Sequence, residues 1–325
     1  APKPKAEPER PAPKTPAELR AEYERLRGEA AAFDAAGRTS YSPDAMRARR
    51  EASAARVAWA RALPPEELRA AKADVYREMV RAPKNFDLAE YERQIREASG
   101  WVPYDVLEEM RLRGYTVHIR NVRRSKFRAY AQNKHSYVAM DDEGWVFAHE
   151  YAHQVDAFFS GGKIDRGSWT NKDFVGGGAK AREGYKGIFA ARRYDTKGVY
   201  KNGDGEFWRD NWINDYEGRI YRRRDGVSDG LEFWSMNCQR YAGYRHALAE
   251  GFDYELSELR AAARRVRSLP GPLKRVEAQI RGLENEGREA YAARKSKWSS
   301  VKKKYPDMAD LIERLFGADF ARGAA

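Results

Sequence analysis

His149-Glu150-Tyr151-Ala152-His153 places two imidazoles four residues apart, with a glutamate beside the first. On an α-helix, positions i and i+4 lie about 40° apart around the axis, so both rings face one way. Two neutral imidazoles supply half of a tetrahedral zinc site, with Zn–N near ~2.0–2.1 Å. The glutamate can reach a zinc-bound water without binding the metal. Zinc brings the pKa of that water from ~15.7 towards ~7, the carboxylate takes its proton, and the metal polarises the carbonyl under attack. The implied chemistry is hydrolysis with Zn2+ as cofactor, His149 and His153 as ligands and Glu150 as general base. Trp145, Ala148, Ala152, Val155 and Phe159 make an apolar stripe, which predicts a strongly amphipathic, buried helix over about 144–159. Asp156 shares the face of both histidines, at i+7 and i+3, and is placed to hold an imidazole N–H.

The third protein ligand sets the subclass. Metzincin sites require a glycine three residues and a histidine six residues after the second motif histidine. Asp156 and Phe159 stand there, which excludes that class. The gluzincin pattern uses a later glutamate, and Glu183, Glu206, Glu217 and Glu232 are the candidates. Glu183 and Glu206 sit in glycine-rich stretches that hold no ligand rigidly. Glu217 precedes Gly218 in a turn-like setting, where its position is less fixed. Glu232 opens a helical segment with Phe233, Trp234 and Met236 to lock it, the rigidity a metal-bound carboxylate needs. With Glu232 as ligand, His246 lies fourteen residues on, about 21 Å along a continuous helix, and cannot share the metal. Cys238, the single cysteine, falls about 240° around from Glu232 and reads as a core residue; a cysteine-rich zinc cluster is excluded.

These residues need elements to hold them, and the 325-residue chain supplies mostly helices. Hydrophobic residues at 42% allow a core and exclude a wholly disordered chain. No apolar run approaches the ~18 residues of a membrane-spanning helix, and no signal peptide is seen at the start. Six of the fourteen prolines fall in the first sixteen residues, so 1–15 reads as an extended tail or linker. Helices are expected from Thr15-Pro16, Ser42-Pro43, Pro64-Pro65 and Asp87, making 16–112 a helical region. Tyr115, Val117 and Ile119 alternate with polar residues as a strand, and Tyr137–Met140 is a second short one. Fourteen of the 26 glycines lie between Gly161 and Gly230, which reads as a loop-rich stretch. A helix is expected over about 231–248, and residues 251–325 form a basic helical region. The fold class expected is α+β: a mainly helical catalytic domain over 113–250 with a small sheet, flanked by helical regions.

The segment from Asn214 to Tyr221, followed by Gly230-Leu231-Glu232-Phe233-Trp234-Ser235-Met236, together with His149–Asp156, resembles gluzincin zinc metallopeptidases. The likeness is to the metallopeptidase-like domains of phage head-morphogenesis (minor capsid) proteins and to the catalytic domain of anthrax lethal factor and related toxins. It covers roughly residues 135–245. The family's usual glycine between the motif histidines is Ala152 here, and the usual threonine before the late glutamate is Leu231. The resemblance implies a zincin-like domain that cleaves a protein or peptide substrate, with Glu232 as third ligand. It also implies a tyrosine, Tyr216 or Tyr221, donating to the developing oxyanion. The implied setting is a virion or a host cytoplasm, with phage capsid or portal proteins as partners and no membrane.

The net charge is +12. Acid-free basic clusters occupy 119–135, Arg222–Arg224 and 294–304, the last with Lys302, Lys303 and Lys304 as candidate nucleic-acid contacts. Two other classes therefore fit: a structural phage head or portal-associated protein whose metal only stabilises the fold, and a nucleic-acid-binding virion protein. They differ in the use of Glu150, which a purely structural site does not need.

Overall fold

Local signals start the N-terminal helices where the sequence places them. Thr15 Oγ1 accepts the Glu18 N–H (3.3 Å) and Glu18 accepts the Thr15 N–H (2.7 Å), a closed capping box. The Ser42 hydroxyl accepts from Ala45 N (3.2 Å). Asp87 caps a short 3-10 turn through Ala89 N (2.8 Å). The computed structural model describes residues 13–35, 42–84, 87–120, 129–132, 134–139, 144–159, 198–202, 205–208, 212–214, 217, 219–223, 226–229 and 231–320. The extended tail, apart from 13–15, lies outside them, as do Arg123–Arg128 and the Gly176–Gly178 run.

In chain order the elements are α1 (Pro16–Ala35), α2 (Pro43–Arg61), α3 (Pro65–Met79), β1 (Val80–Arg81), α4 (Glu92–Gly100), α5 (Tyr104–Leu112), β2 (Thr116–Arg120), β3 (Tyr130–Gln132), β4 (His135–Ala139) and α6 (Gly144–Phe159). There follow β5 (Val199–Asn202), β6 (Gly205–Trp208), β7 (Arg219–Arg223), β8 (Gly226–Asp229) and α7 (Leu231–His246). Five helices complete the chain: α8 (Phe252–Arg265), α9 (Pro270–Glu286), α10 (Arg288–Ser296), α11 (Trp298–Lys304) and α12 (Pro306–Phe316). The fold is α+β and mainly helical, with two small four-stranded sheets.

The chain forms two compact units, Ala1–Ala71 and Lys72–Ala325. In the first, α1 and α2 pack together, with Tyr23 stacked on Trp59 and Arg56 over the Tyr23 ring. The second holds everything the site needs. Its first sheet runs β1-β2-β4-β3, parallel except for the antiparallel edge strand β3. Val117, Ile119, Ser136 and Val138 make the buried face, on which α6 lies. The other face carries Thr116, His118, Arg120, His135 and Tyr137, half-buried, with Thr116 Oγ1 bridging His118 Nε2 (2.9 Å) and His135 Nδ1 (2.6 Å).

Two expectations change. First, α6 is not amphipathic: every side chain from Phe147 to Phe159 is buried. Its polar positions are the candidate ligands and base, Asp156, and Gln154, whose amide donates to Thr116 O (2.7 Å) and Lys134 O (2.9 Å). A helix enclosed on all sides keeps polar residues only where they have partners. Second, the stretch read as loop-rich contains an antiparallel meander, β5-β6-β7-β8. Its strands are only four or five residues long, too short to leave a clear alternating pattern among the surrounding glycines.

The C-terminal helices pack directly on α7. Trp298 is buried against Tyr241 and Tyr244, Tyr305 meets Phe233 edge-on, and Phe316 contacts Trp101, Phe159 and Trp234. Beyond α12, Asp319 pairs with the buried ammonium of Lys72 at 2.7 Å.

Candidate metal centre

Two buried helices build the site. Helix α6 presents His149 and His153 with rings 5.1 Å apart and nearly perpendicular (88°). The first turn of α7 presents Glu232, held by its neighbours: Phe233 and Trp234 are buried, and the Trp234 indole N–H donates to Ala152 O at 3.0 Å, between the two histidines in sequence. One carboxylate oxygen, Glu232 Oε2, lies 3.0 Å from His149 Nε2 and 3.5 Å from His153 Nε2. Two ligand atoms each ~2.0–2.1 Å from a tetrahedral zinc are about 3.3 Å apart, so both separations match a tetrahedral edge. His149, His153 and Glu232 are the one group among the described residues whose donor atoms converge closely enough to hold a metal ion.

The electrostatics agree with the donor set. Burial pulls the His153 imidazole down, but the carboxylates of Glu232, Glu150 and Asp156 outweigh it and raise it to about 9. Burial pushes Glu232 up, yet His153 and His149 hold its carboxyl well below the usual range. Three acids around two imidazoles give a pocket of negative potential that suits a divalent cation. Glu150 is buried next to His149 without belonging to the converging group. Asp156 is buried, and its charge acts on His153 and on Cys238, which places it between α6 and α7. Cys238 is a buried free thiol, as expected of a core residue.

The remaining candidates sort by position. His118 and His135 belong to the sheet face opposite α6, and His246 closes α7 at its far end. Glu206 is on β6, paired with Lys201 at 2.8 Å. Glu183 and Tyr216 lie outside the described residues. Tyr221 is on β7, and its side chain is also outside them. Glu217 corrects the expectation of a loosely held turn residue. It is 0% exposed, its Oε2 accepts from the Tyr305 hydroxyl (2.6 Å) and Ile213 N–H (3.0 Å), and its Oε1 accepts from the Arg240 guanidinium. Among the basic residues, Lys302 pairs with Glu313, Arg294 with Glu286 and Lys295 with Glu255. Lys303 is exposed, and Lys304 approaches the Tyr305 ring.

Sequence reasoning missed Ser235. Its hydroxyl lies 3.2 Å from Glu232 Oε2 and 3.3 Å from His149 Nε2, between the two side chains. The signal was available, because Ser235 follows Glu232 by three residues on one helix face. Tyr305 had no such signal, being 88 residues from Glu217. Comparison of the chain with models of known protein families, with curated proteins and with solved structures found no match.

Proposed function

We propose that this chain is a zinc-dependent metallopeptidase with His149, His153 and Glu232 as metal ligands and Glu150 as general base. One observation carries the reading: a single carboxylate oxygen converges on both motif imidazoles at 3.0 and 3.5 Å, while Glu150 stays out of that donor set. When bound, zinc supplies a Lewis acid that polarises a peptide carbonyl and acidifies water. The Glu150 carboxylate takes the proton of the attacking water and returns it to the leaving amine. Ser235 orients the Glu232 carboxylate by donating its hydroxyl to Oε2. Asp156 adds negative charge behind His153 and strengthens its hold on a cation.

The sequence likeness to phage head-morphogenesis and toxin metallopeptidases supports a protein or peptide substrate and a virion or host-cytoplasm setting. The basic clusters lend less support to nucleic-acid contact, because three cations of the 294–304 run are already paired. No helix among the described residues is long and apolar enough to cross a membrane.

The test is metal content with hydrolysis of an unfolded protein, for wild type and Glu150→Gln. We expect one zinc per chain in both, and a loss of about 10²–10⁴-fold in rate for the variant. Zinc-loaded wild type that cleaves nothing would instead favour a structural site.

A further inference from the structure

The far end of α7 opens into a recess of about 820 Å³, lined from α4, α7, α8 and α10 and by a π-type turn, Ala247–Gly251, that joins α7 to α8. A π-turn breaks the regular helical ladder and is frequent at functional sites. The volume is that of a small-molecule pocket. Gly243 borders the recess beside Glu97: a Cβ there would make ordinary van der Waals contact with Glu97 Oε1 (3.8 Å) and Ser296 Cβ (3.6 Å). His246 is fourteen residues beyond Glu232, about 21 Å along the helix, so the recess is separate from the metal centre.

Its charges are of two kinds. Most are committed to one another: Arg96 to Glu92 (2.7 Å) and Glu250 (3.2 Å), and Lys295 to Glu255 (2.9 Å), which also accepts from the Tyr291 hydroxyl (2.7 Å). Glu97 is not. It has no hydrogen bond or ion pair among the described residues, burial pushes its carboxyl above the usual range, and only the field of Arg93 opposes that. Arg93 itself is exposed. Burial, with Arg93 and Arg96, holds His246 below its ordinary value against the pull of Glu250, so it is neutral at pH 7. The lining holds five glutamates against two arginines and one lysine, a balance that repels anions. Glu97 is half-buried, and a half-buried carboxyl without a partner is stabilised by a cation that brings its own hydrogen bonds. The ring of Tyr254, 64% exposed, offers an apolar and cation-attracting surface in the lining.

We propose that this recess binds an organic cation, a primary ammonium or guanidinium group on an aliphatic stem, with Glu97 as its counter-ion. The group can come from a free polyamine or from a basic side chain of a peptide. The inference does not rest on the metallopeptidase reading.

Calorimetric titration of the full, zinc-loaded chain tests it, using spermidine, acetyl-Gly-Lys-Gly-amide and the same peptide with uncharged norleucine for lysine. We expect low-millimolar or tighter binding of at least one cationic probe and none of the norleucine peptide. Glu97→Gln, a neutral isostere, should weaken binding at least about tenfold, and Arg93→Gln should strengthen it. Spermidine alone binding assigns the site to free polyamines; the lysine peptide binding assigns it to a side chain. Failure of both cationic probes to bind, or equal affinity in a folded Glu97→Gln variant, overturns the proposal.

Discussion

Glu232 gives one oxygen to two imidazoles, while Glu217, fifteen residues earlier, gives its oxygens to an arginine, a tyrosine and a backbone amide. The two substitutions to alanine should therefore fail differently. Glu232→Ala should lose most of the zinc affinity, because two histidines remain where three ligands are needed. Glu217→Ala should leave the Arg240 charge buried without its carboxylate, a cost of about 3–5 kcal/mol in stability, while the folded fraction still binds zinc. Zinc dissociation constants and thermal melts of both variants separate the cases. Release of the metal by Glu217→Ala without loss of stability would reverse the assignment.

At the scale of elements, the site depends on how α6 is held between the first sheet and α7. The Gln154 amide bonds to carbonyls at the starts of β2 and β4, and Trp234 bonds to Ala152 O from the other side. Gln154→Leu keeps the bulk and removes both donors inside a buried contact. We expect a loss of about 1–3 kcal/mol, read as a lower urea midpoint with zinc present and absent. An unchanged midpoint would mean that the sheet does not hold the helix through this amide. Helix α7 is braced in turn by Tyr305, Trp298 and Phe316, residues from a region whose sequence reads only as basic and helical.

For the molecule as a whole, the metal-free site should make stability depend on pH. His153 is raised above its ordinary 6.5 to about 9. Its contribution is full below pH 6.5 and lost as pH rises through about 9. Glu232 is held below its ordinary 4.5, so its contribution is present above pH 4.5 and lost as pH falls through the lowered value. Chelator-treated protein should thus lose melting temperature between pH 6.5 and 9. Zinc has to displace the His153 proton, so its apparent affinity should climb about tenfold per pH unit across that window and then level off. A competition titration against a chelator of known affinity measures this; an affinity indifferent to pH would contradict a proton held on His153.

The amino-acid sequence by itself determined the local parts of this protein. The i,i+4 histidines, the glutamate beside them, the capping box at Thr15 and the alternation in β2 all follow from backbone periodicity and nearest-neighbour chemistry. Glu232 could be chosen over Glu217 because Phe233 and Trp234 sit next to it in the chain. Only the tertiary structure decided what surrounds them: that α6 is enclosed on every side, that Glu217 is a buried anchor, that Tyr305 reaches it, and that β5 to β8 form a meander. Each of these depends on partners brought together across a long separation in sequence, where burial and hydrogen-bond pairing are properties of the packed chain and leave no periodic trace in its residues.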